Sequence, residues 1–282
     1  MRPKIIITCF AGRKSCMSIF VQYVHQLYTL KLIDEFHIWD FVRNPQDQIW
    51  LDQEYKLPEY AKIFRVKNKS SWSEYYDYYT KDKFPDHIII KSDDDIVFLD
   101  TKNFGQFIKN RIERQENILA FPSIINNGVG AFFQTHLGLI PESLYKFIYQ
   151  PAGGDLWESA DLCEKLHNYF IDNKDSWLLK TENGKTYDLS IGDRFSINFF
   201  AILSKDLDIF QEVKDWGDDE HALTVVTTGA HHRSHYIDLS FTVSHLSFQE
   251  QVRRGFKQEA VLAKYESIAP LAQLVQSVSP TH

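Results

Sequence analysis

The stretch Asp86–Asp100 reads DHIIIKSDDDIVFLD. Ile88–Ile90 and Ile96–Leu99 are short apolar runs, the pattern of strands buried on both faces. Between them stand three consecutive carboxylates, Asp93, Asp94 and Asp95. Adjacent carboxylates at a strand end repel one another and cost stability unless a cation or basic group neutralises them. An acidic knot framed by two buried strands therefore reads as a ligand site at a sheet edge. The bland alternative is a solvated acidic loop or a helix cap.

Working outward, the preceding chain alternates strands and helices. Lys4–Phe10 (KIIITCF) reads as a first strand, and Met17–Leu30 carries apolar residues at helical spacing. Glu35–Val42 and Ala61–Lys67 read as further strands. Ser73–Thr80 reads as a tyrosine-rich helix with capping residues in its Ser-Trp-Ser-Glu lead-in. Beyond the knot, Asp100 is expected to cap a helix over 101–115, and Asn117–Ile125 to form another strand. The segment 126–188 is less regular, with a turn at Gly153-Gly154 and a helix expected over Leu156–Ile171. Ser196–Leu203 is a strand leading into a Ser-Lys-Asp helix start. An acidic turn, Trp216–Glu220, and a histidine-rich segment, His231–His245, follow. A last helix is expected over Gln249–Ser267, with a fraying tail beyond Ile268. This order implies one α/β domain, a mixed, mainly parallel sheet flanked by helices. In such sheets ligands bind beyond the carboxyl ends of the strands, where the Ala11 turn and the Asp93 knot both fall.

Bulk properties narrow the function. With 282 residues, 44% of them hydrophobic, the chain can bury a large core. A net charge of -7 argues against nucleic-acid binding, which leaves a basic footprint. Three cysteines, Cys9, Cys16 and Cys163, form neither a disulfide framework nor a zinc set. No secretory leader and no membrane-spanning run is read, so the expectation is a cytoplasmic protein. The Asn68-Lys69-Ser70 sequon is then accidental. Oligomeric state is not legible.

Four groups carry possible chemistry. The Asp93–Asp95 knot suits Mg²⁺ or Mn²⁺ shared with phosphate oxygens. Two enzyme classes use such a knot: nucleotide-sugar glycosyltransferases of the GT-A type, and haloacid-dehalogenase-like phosphatases with Asp93 as nucleophile. Three points count against the phosphatase. Three strands precede this one, the distal motif lacks a further Asp at Ala222–Thr224, and Ile96 stands where a Gly is usual. The second group is Trp216-Gly217-Asp218-Asp219-Glu220, where a carboxylate opening a helix can serve as general base. Asp219 is the first choice and Asp218 the second, against a surface turn that complements the helix dipole. Third come the late histidines. His245 is a candidate cation ligand, and His231 or His232 weaker ones, each set against an ordinary satisfied side chain. Fourth is Cys9–Lys14, where Gly12 permits close approach and Arg13 can fork onto a phosphate or stack on a base. Asp40 is placed to accept from a uracil N–H, or is a surface carboxylate.

The pieces Thr8–Arg13, Ile38-Trp39-Asp40, Lys91–Asp95, Ile197–Asp206 and Gly217–Glu220, in this order, resemble a GT-A glycosyltransferase over roughly residues 4–250. More narrowly the chain is similar to stand-alone glycosyltransferases that decorate capsid glycans of large DNA viruses of algae, a xylosyltransferase among them. The resemblance implies a Rossmann-like GT-A fold, a UDP-sugar donor such as UDP-xylose, a glycan acceptor, Mn²⁺ or Mg²⁺, and inversion at the anomeric carbon. It implies a nucleotide-binding half at about 1–125, an acceptor-binding half at about 126–250, and a C-terminal helix and tail at 251–282. Thr8, Phe10, Gly12, Arg13, Asp40, Lys67, Ser92, Asp93 and Asp94 would hold the nucleotide-sugar, and Asp93, Asp95 and His245 the cation. Asp219 or Asp218 would be the base. Trp157 and Trp216 are candidates for an acceptor platform or for core. One departure is that the base motif reads Asp-Asp-Glu where Glu-Asp is more usual. A non-catalytic sugar-binding scaffold of the same fold is the other alternative.

Overall fold

The first strand, β1, spans Lys4–Ala11. Ile5, Ile6, Ile7 and Cys9 are all buried, because helices cover both faces of the sheet. The helix Lys14–Thr29 follows at once and lays Met17, Phe20, Val24 and Leu27 into the core. In this computed structural model, which describes residues 2–181 and 184–271, nine strands make one mixed sheet. The others are β2 (Glu35–Asp40), β3 (Ala61–Arg65), β4 (His87–Asp93), β5 (Ile96–Leu99), β6 (Leu119–Ile125), β7 (Thr186–Asp188), β8 (Phe199–Leu203) and β9 (Tyr236–His245). Their order is β3-β2-β1-β4-β8-β6-β9-β5, with β7 also on β9. The first four strands are parallel. In the second half only β6 and β9 run parallel. The expected sheet flanked by helices is the one observed.

Two features of this order place the site. The chain fills one side of β1 with β2 and β3, then returns to its other side with β4. That reversal opens a crevice at the carboxyl ends of β1 and β4. The second feature is β9, ten residues long and buried throughout. It pairs with β5 in a register that sets His245 opposite Ile96. The Leu246 amide then donates to the Asp95 carbonyl at 2.9 Å. A residue 150 positions further on thus arrives beside the acidic knot.

Several element ends differ from expectation for local reasons. The helix after β5 runs Phe104–Glu113, and Asp100 caps the preceding turn, accepting from the Asn103 side chain at 2.7 Å. The helix expected over Leu156–Ile171 is two, Asp155–Glu158 and Ala160–Asp172. Ser159 breaks them by accepting the Leu162 amide as a new cap. The last helix is likewise two, Gln249–Arg253 and Gln258–Ile268, parted at Gly255 with its φ of 97°. The helix Ser73–Tyr78 has no side-chain cap; the Ser73 hydroxyl donates instead to the Lys214 carbonyl. Within 126–188 the sequence pattern hid the helices Gly128–His136 and Lys174–Thr181 and the strand β7. Gly130 explains part of this, since a Cβ there would sit 2.9 Å from the Ile124 carbonyl. The tail from residue 272 lies outside the described residues. Among these, no helix is long and apolar enough to cross a membrane, and the three cysteines are buried and unbridged.

Two core histidines give the fold a pH dependence. His235 takes the Leu119 amide on one ring nitrogen and meets the Leu223 carbonyl with the other. His167 bridges the Tyr265 hydroxyl and the Leu246 carbonyl. Burial pushes both down to about 3. The unfolded chain takes up these protons near pH 6.5 and the folded chain does not. Stability is therefore full above about pH 6.5 and declines as pH falls toward 3, by ~1.4 kcal/mol per unit per histidine. Urea titrations at pH 7 and pH 5 are expected to differ by ~2 kcal/mol for each. His167→Gln removes its share, so an unchanged pH dependence in that variant would contradict this reading.

Candidate functional site

In the crevice, Phe10 on β1 pairs with Asp93 on β4. The chain leaves β1 through Gly12 and Arg13. Gly12 is there because a Cβ would stand 3.1 Å from the Asp94 Oδ2. Arg13 is extended and flanks the first turn of the helix Lys14–Thr29, which no side chain caps. Its guanidinium forks onto Asp94, with Nε 3.0 Å from Oδ2 and Nη2 2.6 Å from Oδ1. The same Nη2 lies 2.9 Å from the Asp95 Oδ2. Asp94 and Asp95 are only 6% and 5% exposed, so their charges demand this compensation. Burial opposes the ionisation of Asp95, but His245 and Arg13 outweigh it and hold the carboxyl well below the usual range.

His245 sets its Nε2 3.2 Å from the Asp95 Oδ2, and its ring packs on Phe248 with centroids 4.6 Å apart. The Asp95 Oδ1 and the His245 Nδ1 are both buried without a hydrogen-bond partner. A carboxylate oxygen and an imidazole nitrogen left over in this way are donors of the kind that Mn²⁺ accepts. Asp93 does not join them. The Lys91 ammonium pairs with its Oδ1, and the Asn198 side chain donates to its Oδ2 at 3.0 Å. Among the described residues no group of three or more His, Cys, Asp or Glu converges as a metal centre. Of the expected set Asp93, Asp95 and His245, the structure brings Asp95 and His245 into contact, while Asp93 is paired with the buried Lys91 and with Asn198.

The acidic turn separates its carboxylates by environment. Asp218 is the helix cap, accepting the His221 amide at 2.9 Å, and it pairs with Arg194 at 3.0 Å. Despite partial burial, these contacts hold it below its ordinary value. Asp219 instead accepts from the Tyr76 hydroxyl at 2.7 Å. Burial pushes its carboxyl up, Lys91 opposes this, and Asp93 adds to it. Asp219 therefore shares the electrostatic neighbourhood of the knot, whereas Asp218 is occupied as a cap. Glu220 takes the Arg194 Nε at 2.7 Å.

Beside this centre lies a cleft of about 470 Å³ lined by Trp157, Phe248, Arg194, Glu220, Asn127 and Gln150 among others. Phe248 links it to His245, and Glu220 adjoins Asp219. Every residue lining it falls between 127 and 248. Trp157 and Trp216 are exposed, at 44% and 43%, so neither is core, and Trp157 forms part of the cleft wall.

The other expected nucleotide contacts divide. Phe10 stands at the crevice beneath Lys91, whose ammonium is 4.8 Å from its ring. Thr8 is fully buried and shares its hydroxyl with Tyr75 and the Ile90 carbonyl. Ser92 is fully buried too, its hydroxyl turned to the Asp93 carbonyl. Asp40 is 3% exposed and bound by Arg65 at 2.6 Å, Lys69 at 2.9 Å and Gln48 at 3.1 Å. It anchors a basic knot at the β2 end and has no oxygen spare for a base. Lys67 is exposed, with its backbone amide on Glu74. His231 pairs with Glu212, and His232 sits in the left-handed region at the end of its helix. Neither touches the knot. Sequence reasoning missed Tyr76, Arg194 and Asn198, which carry no motif and reach the site only through the fold.

Comparison with family profiles finds no match, and comparison with curated proteins finds none either. Among solved structures, the chain is similar to GalNAc-T7, crystallised with UDP, GalNAc and Mn²⁺, at 13% identity and a TM-score of 0.49. The match covers 88% of this chain and 45% of that one, so the chain spans less than half of that protein's length. It is similar to a CMP:2-keto-3-deoxy-manno-octonic acid synthetase complexed with CTP, at 10% identity and a TM-score of 0.47, over 99% of this chain and 100% of that one. A third likeness is to the 4-diphosphocytidyl-2C-methyl-D-erythritol synthase of Anaerococcus prevotii, at 11% identity and a TM-score of 0.42, over 95% and 96% of the two chains. At these scores the fold assignment rests on the strand order itself and the site on its own geometry.

Proposed function

We propose that this protein is a glycosyltransferase that takes a sugar from a UDP-sugar, UDP-xylose being the first to test, and passes it to a glycan hydroxyl with inversion. What carries the reading is the convergence of Asp94, Asp95, His245 and Arg13 at the β1/β4 crevice. The bare start of a 16-residue helix adjoins them, and such a helix start favours phosphate. Asp95 and His245 would hold a divalent cation, which supplies charge stabilisation to the departing diphosphate. Arg13 offers a forked donor for a phosphate oxygen. Asp219 takes the proton of the acceptor hydroxyl, its raised carboxyl suiting a base that must accept a proton near neutrality. Tyr76 donates to its Oδ2 and so orients the carboxylate.

The first half of the chain then serves the nucleotide and the second half the acceptor, in keeping with a cleft lined only by residues beyond 126. Arg194 is the cleft's one guanidinium and is already paired with Asp218 and Glu220. A neutral glycan stacked on Trp157 suits such walls. The phosphatase alternative would make Asp93 the nucleophile, but Asp93 ends the fourth strand, with β1, β2 and β3 ahead of it, and is paired with Lys91 and Asn198.

Turnover with a panel of UDP-sugars, followed by proton NMR of the product, tests the proposal. An anomeric coupling that shows inverted configuration is expected. A retained configuration would remove Asp219 as base.

A further inference from the structure

The acidic knot is already neutralised from within. Arg13 bridges Asp94 and Asp95 with three contacts at 2.6, 2.9 and 3.0 Å. Its Nη2 stands at the Asp95 Oδ2, the oxygen that also faces His245. A cation coming to Asp95 therefore meets a guanidinium already in place, and two like charges cannot share one buried carboxylate at low cost. Arg13 is nevertheless the exposed member of the trio. Its side chain is 41% exposed although both partners are buried. It is the N-cap residue, on extended backbone whose carbonyl accepts the Met17 amide at 3.0 Å, and its side chain makes no cap bond, so turning the guanidinium away leaves the helix start in place. A diphosphate in the crevice would offer it an equivalent anionic partner, with the bare helix start beside it.

We propose that Arg13 is a place-holder for the cation: it occupies Asp95 in the free protein and yields to a divalent ion only when a nucleoside diphosphate draws it onto phosphate. This rests on the functional reading above and adds to it an order of assembly, in which metal and nucleotide enter together. Binding coupled in this way is reciprocal, so each ligand tightens the other by the same factor.

The test is Mn²⁺ binding, read by the electron paramagnetic resonance of free Mn²⁺, with and without UDP. It uses wild type, Arg13→Gln and Arg13→Lys. Wild type is expected to bind Mn²⁺ weakly alone and about ten-fold or more tighter with UDP. Arg13→Gln keeps hydrogen-bond donors but drops the charge. It is expected to bind Mn²⁺ alone about ten-fold tighter than wild type and to lose most of the UDP effect. Arg13→Lys keeps the charge without the fork and is expected to fall between the two. Near-ultraviolet circular dichroism checks that each is folded, and either folded variant suffices for the comparison. Mn²⁺ binding alone that is unchanged or weaker in the variants, beside a wild type that binds Mn²⁺ with UDP, overturns the place-holder and leaves the function standing. A wild type that binds no Mn²⁺ even with UDP overturns both.

Discussion

Asp219→Asn is expected to lower glycosyl transfer about 10²- to 10⁴-fold while leaving UDP binding intact, the range for removal of a general base. The substitution keeps the shape of the side chain, and its carbonyl can still accept from Tyr76, so the fold should not suffer. The pH dependence adds a second signature. Burial raises the Asp219 carboxyl, and only the deprotonated form accepts a proton. Wild-type kcat/KM should therefore climb as pH rises through that elevated value, and the residual activity of Asp219→Asn should lack this limb. Turnover equal to wild type in this variant would take the base away from Asp219. Asp218 is a poor substitute, since it caps its helix and pairs with Arg194.

Asp95→Ala is expected to abolish metal-dependent UDP binding with little loss of folding. The variant removes the carboxylate whose Oδ1 has no partner within the protein and whose Oδ2 faces both Arg13 and His245. Arg13 keeps its fork on Asp94, so no guanidinium is stranded. The Asp95 carbonyl still receives the Leu246 amide, which preserves the link between β5 and β9. In calorimetry the heat of UDP binding in Mn²⁺ should fall to that seen in EDTA. A variant that binds UDP and Mn²⁺ as tightly as wild type would show that Asp95 is not the cation's ligand. Asp93→Ala is the matching contrast. Asp93 is held by Lys91 and Asn198, so its loss should leave the buried Lys91 ammonium on the Ile197 carbonyl without its carboxylate partner and cost stability before it costs metal.

Much of the parallel half was legible because each element there is local. Ile88–Ile90 and Lys4–Phe10 are apolar runs whose burial follows from composition alone, and their ends place Gly12 and the Asp knot in one crevice. The second half was less readable for a physical reason. The strand β7 is three residues long, and the helix Gly128–His136 begins with two glycines in its first three positions. Periodicity has little to work on in either. Helix breaks at Ser159 and Gly255 depend on one cap and one left-handed residue inside otherwise continuous patterns.

The site divides in the same way. Gly12, Arg13, Asp94, Asp95 and His245 meet because they lie at or just beyond strand ends, whereas Asp219 opens a short helix and is tied in through Tyr76. Thr8 and Ser92 do not reach the crevice, although they lie on the same two strands. Thr8 shares its face of β1 with Phe10, but its hydroxyl is spent on Tyr75 and the Ile90 carbonyl, and that of Ser92 on the Asp93 carbonyl. Asp40 failed as a base acceptor for a different reason: Arg65 and Lys69, distant in sequence, close over it. A reading of single residues cannot anticipate which carboxylate a distant cation will take, and the same holds for Lys91 and Asp93.

A calorimetric titration of UDP into the wild-type protein, with Mn²⁺ and again with EDTA, tests the central claim most directly. Binding that requires the metal is the predicted result. Binding of equal strength in EDTA, or no binding in either condition, would contradict a UDP-sugar site built on Asp95, His245 and a divalent cation.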